Sequence, residues 1–81
     1  MKTLNETVDL MLSDKWEDRL IAEYWQTKIR YEKLHKRLIS NDAGVEYVLE
    51  ADSLRRQKQL MGEYLYCLEV RAAIKGINLD V

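Results

Sequence analysis

The chain has no proline and only three glycines, Gly44, Gly62 and Gly76. Long stretches are therefore free of the residues that break helices. Cys67 is the single cysteine, which excludes an internal disulfide and a multi-cysteine zinc site. His35 is the single histidine, so neither a His-rich metal site nor a Ser-His-Asp triad can be assembled. No run of 18 apolar residues occurs, and no membrane span is expected. The first residues carry Glu6 and Asp9 and lack an apolar run with a small-residue cleavage site, so no export signal is expected. With one free cysteine, these features suit a reducing cytoplasm. At 81 residues the chain makes one domain, 1–81, and buries only about 60% of the surface of its unfolded form. Oligomerisation is the aid to stability that remains.

What is present repeats at steps of three and four. Residues 4–12 read as a short helix, with Thr3 and Glu6 spaced as a capping box and Leu4, Val8 and Met11 on one stripe. Asp14 followed by Glu17 marks a second N-terminus, opening a helix over about 14–40. Its seam is Trp16, Leu20, Tyr24, Thr27, Tyr31, Leu34 and Leu38, with Ile21, Trp25, Ile29 and Ile39 to either side. Residues 41–44 make a turn. The return helix spans about 45–75 and is clearest from Leu54, with Leu54, Gln57, Met61, Tyr64, Leu68 and Arg71 as its main seam. Leu60, Cys67, Val70 and Ile74 form a second apolar line. Gly76 is placed as the C-cap, with Ile77 making the apolar contact of a Schellman motif. The fold class is therefore all-α: a long antiparallel helical hairpin with a short N-terminal helix, assembled into a homo-oligomeric bundle. Two stripes suffice for a hairpin, and the surplus apolar surface exceeds what a monomer tolerates. Leu4, Val8 and Met11 are expected to dock on another subunit.

Chemistry has few footholds. Glu32 and Lys36 form an ordinary i,i+4 pair, and the other acids read as solvated faces. No Gly-rich phosphate loop, metal-spaced cluster or nucleophile elbow is present, so the protein is read as no enzyme, with no cofactor and no metal. Cys67 reads as a small core or interface residue. The net charge is -1, yet five bases and one acid fall between Lys28 and Arg37. A local basic surface on a neutral chain fits a small anionic ligand better than long nucleic acid. Trp16, Tyr24, Arg30, Tyr31 and Lys33 on one helix, with Tyr64, Tyr66 and Arg71 on the other, interleave rings and cations. Rings stack on bases and cations meet phosphates. By composition alone, aromatics at helical spacing are more often packing.

The stretches Trp16-Glu17-Asp18-Arg19-Leu20-Ile21-Ala22-Glu23 and Lys28-Ile29-Arg30-Tyr31-Glu32-Lys33-Leu34, then Gln57, then Met61-Gly62-Glu63-Tyr64-Leu65-Tyr66-Cys67-Leu68-Glu69-Val70-Arg71, carry a resemblance. In this order the chain resembles the phage anti-CBASS cyclic-oligonucleotide sponges, small helical-hairpin proteins also found in crAss-like phages, over residues 14–79. The resemblance implies a homohexamer in the host bacterial cytoplasm. Such a protein binds cyclic dinucleotides, and some relatives hold cyclic trinucleotides at separate sites, without hydrolysing them. It places the family's N-terminal aromatic, usually tyrosine, on Trp16 and its mid-helix cation on Arg30 or Lys33. Trp16 would stack on a base, Arg30 or Lys33 would neutralise phosphate, and Tyr24 or Tyr31 would donate a hydroxyl. Tyr64 and Arg71 join these as ligand-binding candidates from the return helix. The same hairpin occurs in sponges for the cyclic ADP-ribose-type signal of Thoeris defence, which stands as an alternative ligand. A phage module that binds or inhibits a host protein through the aromatic face is the other alternative.

Overall fold

The computed structural model describes residues 3–40 and 45–80. A 3-10 turn, Asn5–Thr7, runs directly into one short helix, α1 (Val8–Met11), followed by two long helices, α2 (Trp16–Ile39) and α3 (Val45–Lys75). The two long helices pack antiparallel as a hairpin, and α1 lies against α2. The expected turn at 41–44 lies outside the described residues, as do the side chains of Val45, Val48 and Leu49. Among the described residues, no helix is long and apolar enough to cross a membrane.

Local sequence sets each helix end. Thr3 Oγ1 accepts the Glu6 amide at 3.4 Å and donates to Glu6 Oε1 at 3.3 Å, close to the expected capping box. The start of α2 differs from the Asp14–Glu17 reading. Lys15 is extended, so the helix opens at Trp16 and Ser13 does the work of closing its end. Ser13 Oγ accepts the Lys15 amide at 3.1 Å and donates to Asp18 Oδ2 at 2.7 Å, while Arg19 donates to the Ser13 carbonyl at 2.9 Å. At the far end of α3, Gly76 takes φ +68. Its amide reaches the Ala73 carbonyl at 3.3 Å and the Ile77 amide reaches that of Ala72 at 2.8 Å. These are the two bonds of a Schellman motif, and Ile77 packs on the core as that motif requires.

The core is one narrow layer. Leu20 and Tyr24 of α2 interlock with Leu65, Leu68 and Ala72 of α3, and Trp25, Tyr31, Ile77 and Leu79 pack around them. The buried seam of α3 corrects the expected one. Leu54, Met61 and Leu68 keep their inward places, but Gln57, Tyr64 and Arg71 are exposed while Ala51, Leu65 and Ala72 are buried. The helix is rotated by one position at every second contact, because Leu65 and Ala72 lose less on leaving water than tyrosine and arginine do. Gly62 also lies toward α2, where a Cβ would stand 3.4 Å from Tyr31 Cε2, an ordinary van der Waals contact.

The N-terminal segment, read as a clasp for another subunit, packs on α2 of its own chain. Thr7 is fully buried; its hydroxyl donates to the Leu4 carbonyl at 2.7 Å and accepts from Gln26 Nε2 at 3.0 Å. Ala22, Gln26 and Ile29 share that face of α2 by their spacing. The tail beyond α3 is fixed by Trp25 Nε1, which donates to the Leu79 carbonyl at 2.6 Å.

Much apolar surface is left over. Leu60, Val70 and Ile74 of the second line are exposed, as are Leu12, Met11, Val8 and Ile39. Cys67, read as a core or interface residue, is exposed in the single chain and so does not belong to its core. The accessible surface is 6064 Å², against about 5,100 Å² for a globular monomer of 9.6 kDa. The radius of gyration is 14.8 Å, where a globular domain of this length has roughly 12 Å. The chain is thin for its length and leaves much apolar surface exposed.

Candidate functional site

The interhelical seam has two flanks. A helix turns about 100° per residue, so positions seven apart return to nearly the same side, about 10 Å further along. Trp16, Glu23 and Arg30 therefore share one edge of α2. Across from them on α3 stand Arg71 and Tyr64, again seven apart. Trp16, Arg71, Ile74 and Lys75 line one cleft of about 370 Å³ at the open end of the hairpin. The indole of Trp16 is 43% exposed, so the ring is available there. Two turns further in, the Tyr64 hydroxyl donates to Glu23 Oε1. That bond, first among the causes, raises the Tyr64 phenol above its ordinary value, with partial burial adding and Arg71 opposing.

The opposite flank holds a different set. The Tyr31 ring lies against Gly62, and Lys58 Nζ stands 5.7 Å from its centroid while contacting His35 Nδ1 at 2.7 Å. That contact has Lys58 donating to an imidazole nitrogen without a proton. A cleft of about 880 Å³ opens here, with Tyr31, Arg55, Lys58, Gly62, Tyr66 and Cys67 among its walls. Between the flanks, Tyr24 is 5% exposed. Its hydroxyl donates to Glu69 at 3.2 Å and accepts from Lys28 Nζ at 3.2 Å. The Lys28 ammonium, 5.5 Å from the Tyr24 ring and 5.4 Å from that of Trp25, is held above its usual pKa chiefly by the bond to Tyr24.

The structure thus sorts the seven residues singled out in the sequence. Trp16, Arg71 and Tyr64 come together on one flank. Tyr31 belongs to the other, with one face under Lys58. Tyr24 is inside the core with both hydrogen bonds of its hydroxyl used, so a ligand would reach its ring only if that core opened. Arg30 and Lys33 are exposed on α2 and line neither cleft. Arg30 lies on the Trp16 edge but roughly 20 Å from it along the helix, longer than a ring of two nucleotides. Sequence reasoning passed over Lys75 and Glu23. Lys75 was within reach, since it follows Arg71 by four residues and shares its face.

Among the described residues, no group of three or more His, Cys, Asp and Glu side chains is arranged to hold a metal. No curated protein and no solved structure matches the chain. A family model, Sequestin, matches residues 14–74, which takes in α2 and nearly all of α3. On that match, the chain belongs to the Sequestin family.

Proposed function

We propose that this chain captures a cyclic oligonucleotide signal of CBASS-type antiphage defence and holds it intact in the cytoplasm of the infected bacterium. Family membership carries the general role, non-catalytic capture of an immune signal. The observation that supports the ligand class is the cleft shared by Trp16, Arg71 and Lys75. A half-exposed indole offers a base a stacking surface, and a guanidinium with a neighbouring ammonium offers phosphate two cations. At about 370 Å³ the cleft is at the lower end of the roughly 300–1,000 Å³ of ligand sites. One protomer then holds part of a ring and a second subunit completes the enclosure. Calorimetry of the full chain against cyclic di- and trinucleotides and cyclic ADP-ribose variants tests this. Binding to a cyclic oligonucleotide, with the ligand recovered unchanged after denaturation, is the expected result. Binding confined to cyclic ADP-ribose would move the ligand to the Thoeris class, and an empty panel would end the nucleotide reading in favour of a protein-binding module.

The assembly belongs to the same proposal. The exposed line Leu60, Cys67, Val70 and Ile74 of α3 is the surface a second subunit would cover, each large apolar side chain contributing roughly 1.5–3 kcal/mol on full burial. A formal charge of -1 opposes this only weakly. The expected particle is a closed homo-oligomer of even subunit number, a hexamer by resemblance. Light scattering at micromolar concentration checks it. A monodisperse monomer would remove the second subunit from the site.

A further inference from the structure

We propose that the cleft at Tyr31 and Lys58 seats the exposed side of the N-terminal segment of a second copy of this chain, in a head-to-tail contact; the inference rests on the self-association proposed above. The cleft, of about 880 Å³, lies between the last turns of α2 and the middle of α3, with Leu38, Ile39, Tyr66 and Cys67 among its walls. Ile39 and Tyr66 are exposed to water in the single chain. Two cations, Arg55 and Lys58, line the same cleft against one acid, Glu63. Arg55 is engaged by Asp52 at 3.2 Å, an exposed ion pair of the kind that contributes little and exchanges readily for another carboxylate. The cleft is therefore an apolar recess with a basic bias, and it calls for an acidic partner that carries apolar side chains.

The chain carries that surface itself. Between Thr3 and Asp18 stand five acids and one base. Thr7 and Gln26 fix one side of this segment to α2, while Val8, Met11 and Leu12 remain exposed, Leu12 by 78%. Steps of three and four put these three on one stripe, and Asp9 follows directly on Val8. Among the described residues α1 touches α2 and not α3, so the stripe does not meet the α3 wall of its own cleft. An acidic apolar stripe and a basic apolar cleft that stay apart within one chain complement each other between chains. Symmetry supplies a second reason. If the line Leu60, Cys67, Val70 and Ile74 pairs with its own counterpart, assembly through it closes at two subunits, and a larger closed particle needs a contact of another kind. A head-to-tail contact provides one, since it forms a ring when its rotation closes. The two surfaces adjoin at Cys67, which belongs to the line and to the cleft wall.

The test uses the native Cys67 thiol as a reporter in the full-length chain. A variant carrying Leu12→Cys and Cys67→Ser is co-expressed with the parent, and the purified mixture is oxidised with copper–phenanthroline. A disulfide from position 12 to Cys67 can then form only between two chains, and only where their Cα atoms come within about 7 Å. Val8→Cys with Cys67→Ser is the second reporter, in case position 12 points past the thiol. Both positions are exposed, so the fold is retained, and circular dichroism of each variant checks that. Peptide mass mapping is expected to find the link to Cys67 from at least one of the two positions. Reversing the charge of the cleft with Arg55→Glu and Lys58→Glu should reduce that link severalfold, and adding Asp9→Lys to the same chain should restore part of it. A parent particle larger than a monomer that gives no link from either position overturns the head-to-tail contact and leaves self-association standing. A monomeric parent overturns both.

Discussion

Leu68→Ala is expected to lower the melting temperature by roughly 10–30 °C, if the variant folds at all. Leu68 is 1% exposed at the middle of the buried layer that joins α2 to α3 among the described residues, against Leu20, Tyr24, Leu65 and Ala72. Removing a buried leucine side chain costs about 2–5 kcal/mol, from lost transfer energy and from the cavity left behind. A chain of 81 residues has a total stability of roughly 4–12 kcal/mol. In a domain this small each kcal/mol moves the midpoint by about 4–8 °C. The site cannot relax cheaply, since Tyr24 is fixed by Lys28 and Glu69, and the Schellman bonds fix the end of α3 at Ala72. Thermal melts followed by circular dichroism, at one fixed protein concentration because the proposed assembly contributes to stability, give the number. Leu60→Ala is the comparison: this side chain is 48% exposed in the single chain, so its loss should leave the hairpin nearly unchanged and act on the proposed association. A Leu68→Ala protein melting within a few degrees of the parent would show that the α2–α3 layer does not carry the fold.

The same residue explains why the hairpin was legible in the sequence and its facing was not. Steps of three and four, the lack of proline and Gly76 with Ile77 were enough to give the all-helical class, two long antiparallel helices and the Schellman end. On α3, however, two seams share Leu54, Met61 and Leu68. One continues through Gln57, Tyr64 and Arg71; the other through Ala51, Lys58, Leu65 and Ala72. Periodicity within one helix fits both. The choice is made by the partner: Tyr24 finds Glu69 beside its hydroxyl, the Tyr31 ring lies beside Gly62, and Leu68 packs with Leu20 and Tyr24. Such constraints live in the register between two segments forty residues apart, where a single sequence has no signal. The candidate site depends on the same register. Interleaved rings and cations were visible, and the sequence reading set Arg30 or Lys33 beside Trp16 on its own helix, whereas the fold shows Arg71 lining the cleft of Trp16 from across the seam. Ser13 was missed for a local reason. An extended Lys15 carries the chain past Asp14 before the first turn closes, and only the fold shows that.

Trp16→Ala and Arg71→Ala should each weaken binding of a cyclic dinucleotide by roughly ten- to a hundredfold, and this pair of losses is the sharpest consequence of the site as it stands. Stacking of a base on an aromatic ring is worth about 1–3 kcal/mol by alanine substitution. A hydrogen bond to a charged group contributes about 1.5–3 kcal/mol, and the planar guanidinium adds a two-point grip on phosphate. Neither change should disturb the hairpin, because Trp16 is 43% exposed and Arg71 lies outside the buried seam. Conservative variants separate the two roles. Trp16→Phe keeps a ring and should keep most of the affinity, while Arg71→Lys keeps the charge but loses the fork and should fall between arginine and alanine. The two residues touch one ligand, so the double variant should lose less than the sum of the single losses. Arg30→Ala and Lys33→Ala are the opposing case. Their side chains are exposed along α2 and line neither cleft, so one protomer gives them no contact with a ring held at Trp16. Calorimetry with one ligand across the seven variants decides between the two arrangements. If Arg30→Ala or Lys33→Ala abolished binding while Arg71→Ala left it intact, the phosphate-binding cation would lie along α2, and the cleft at the open end of the hairpin would not be the ligand site.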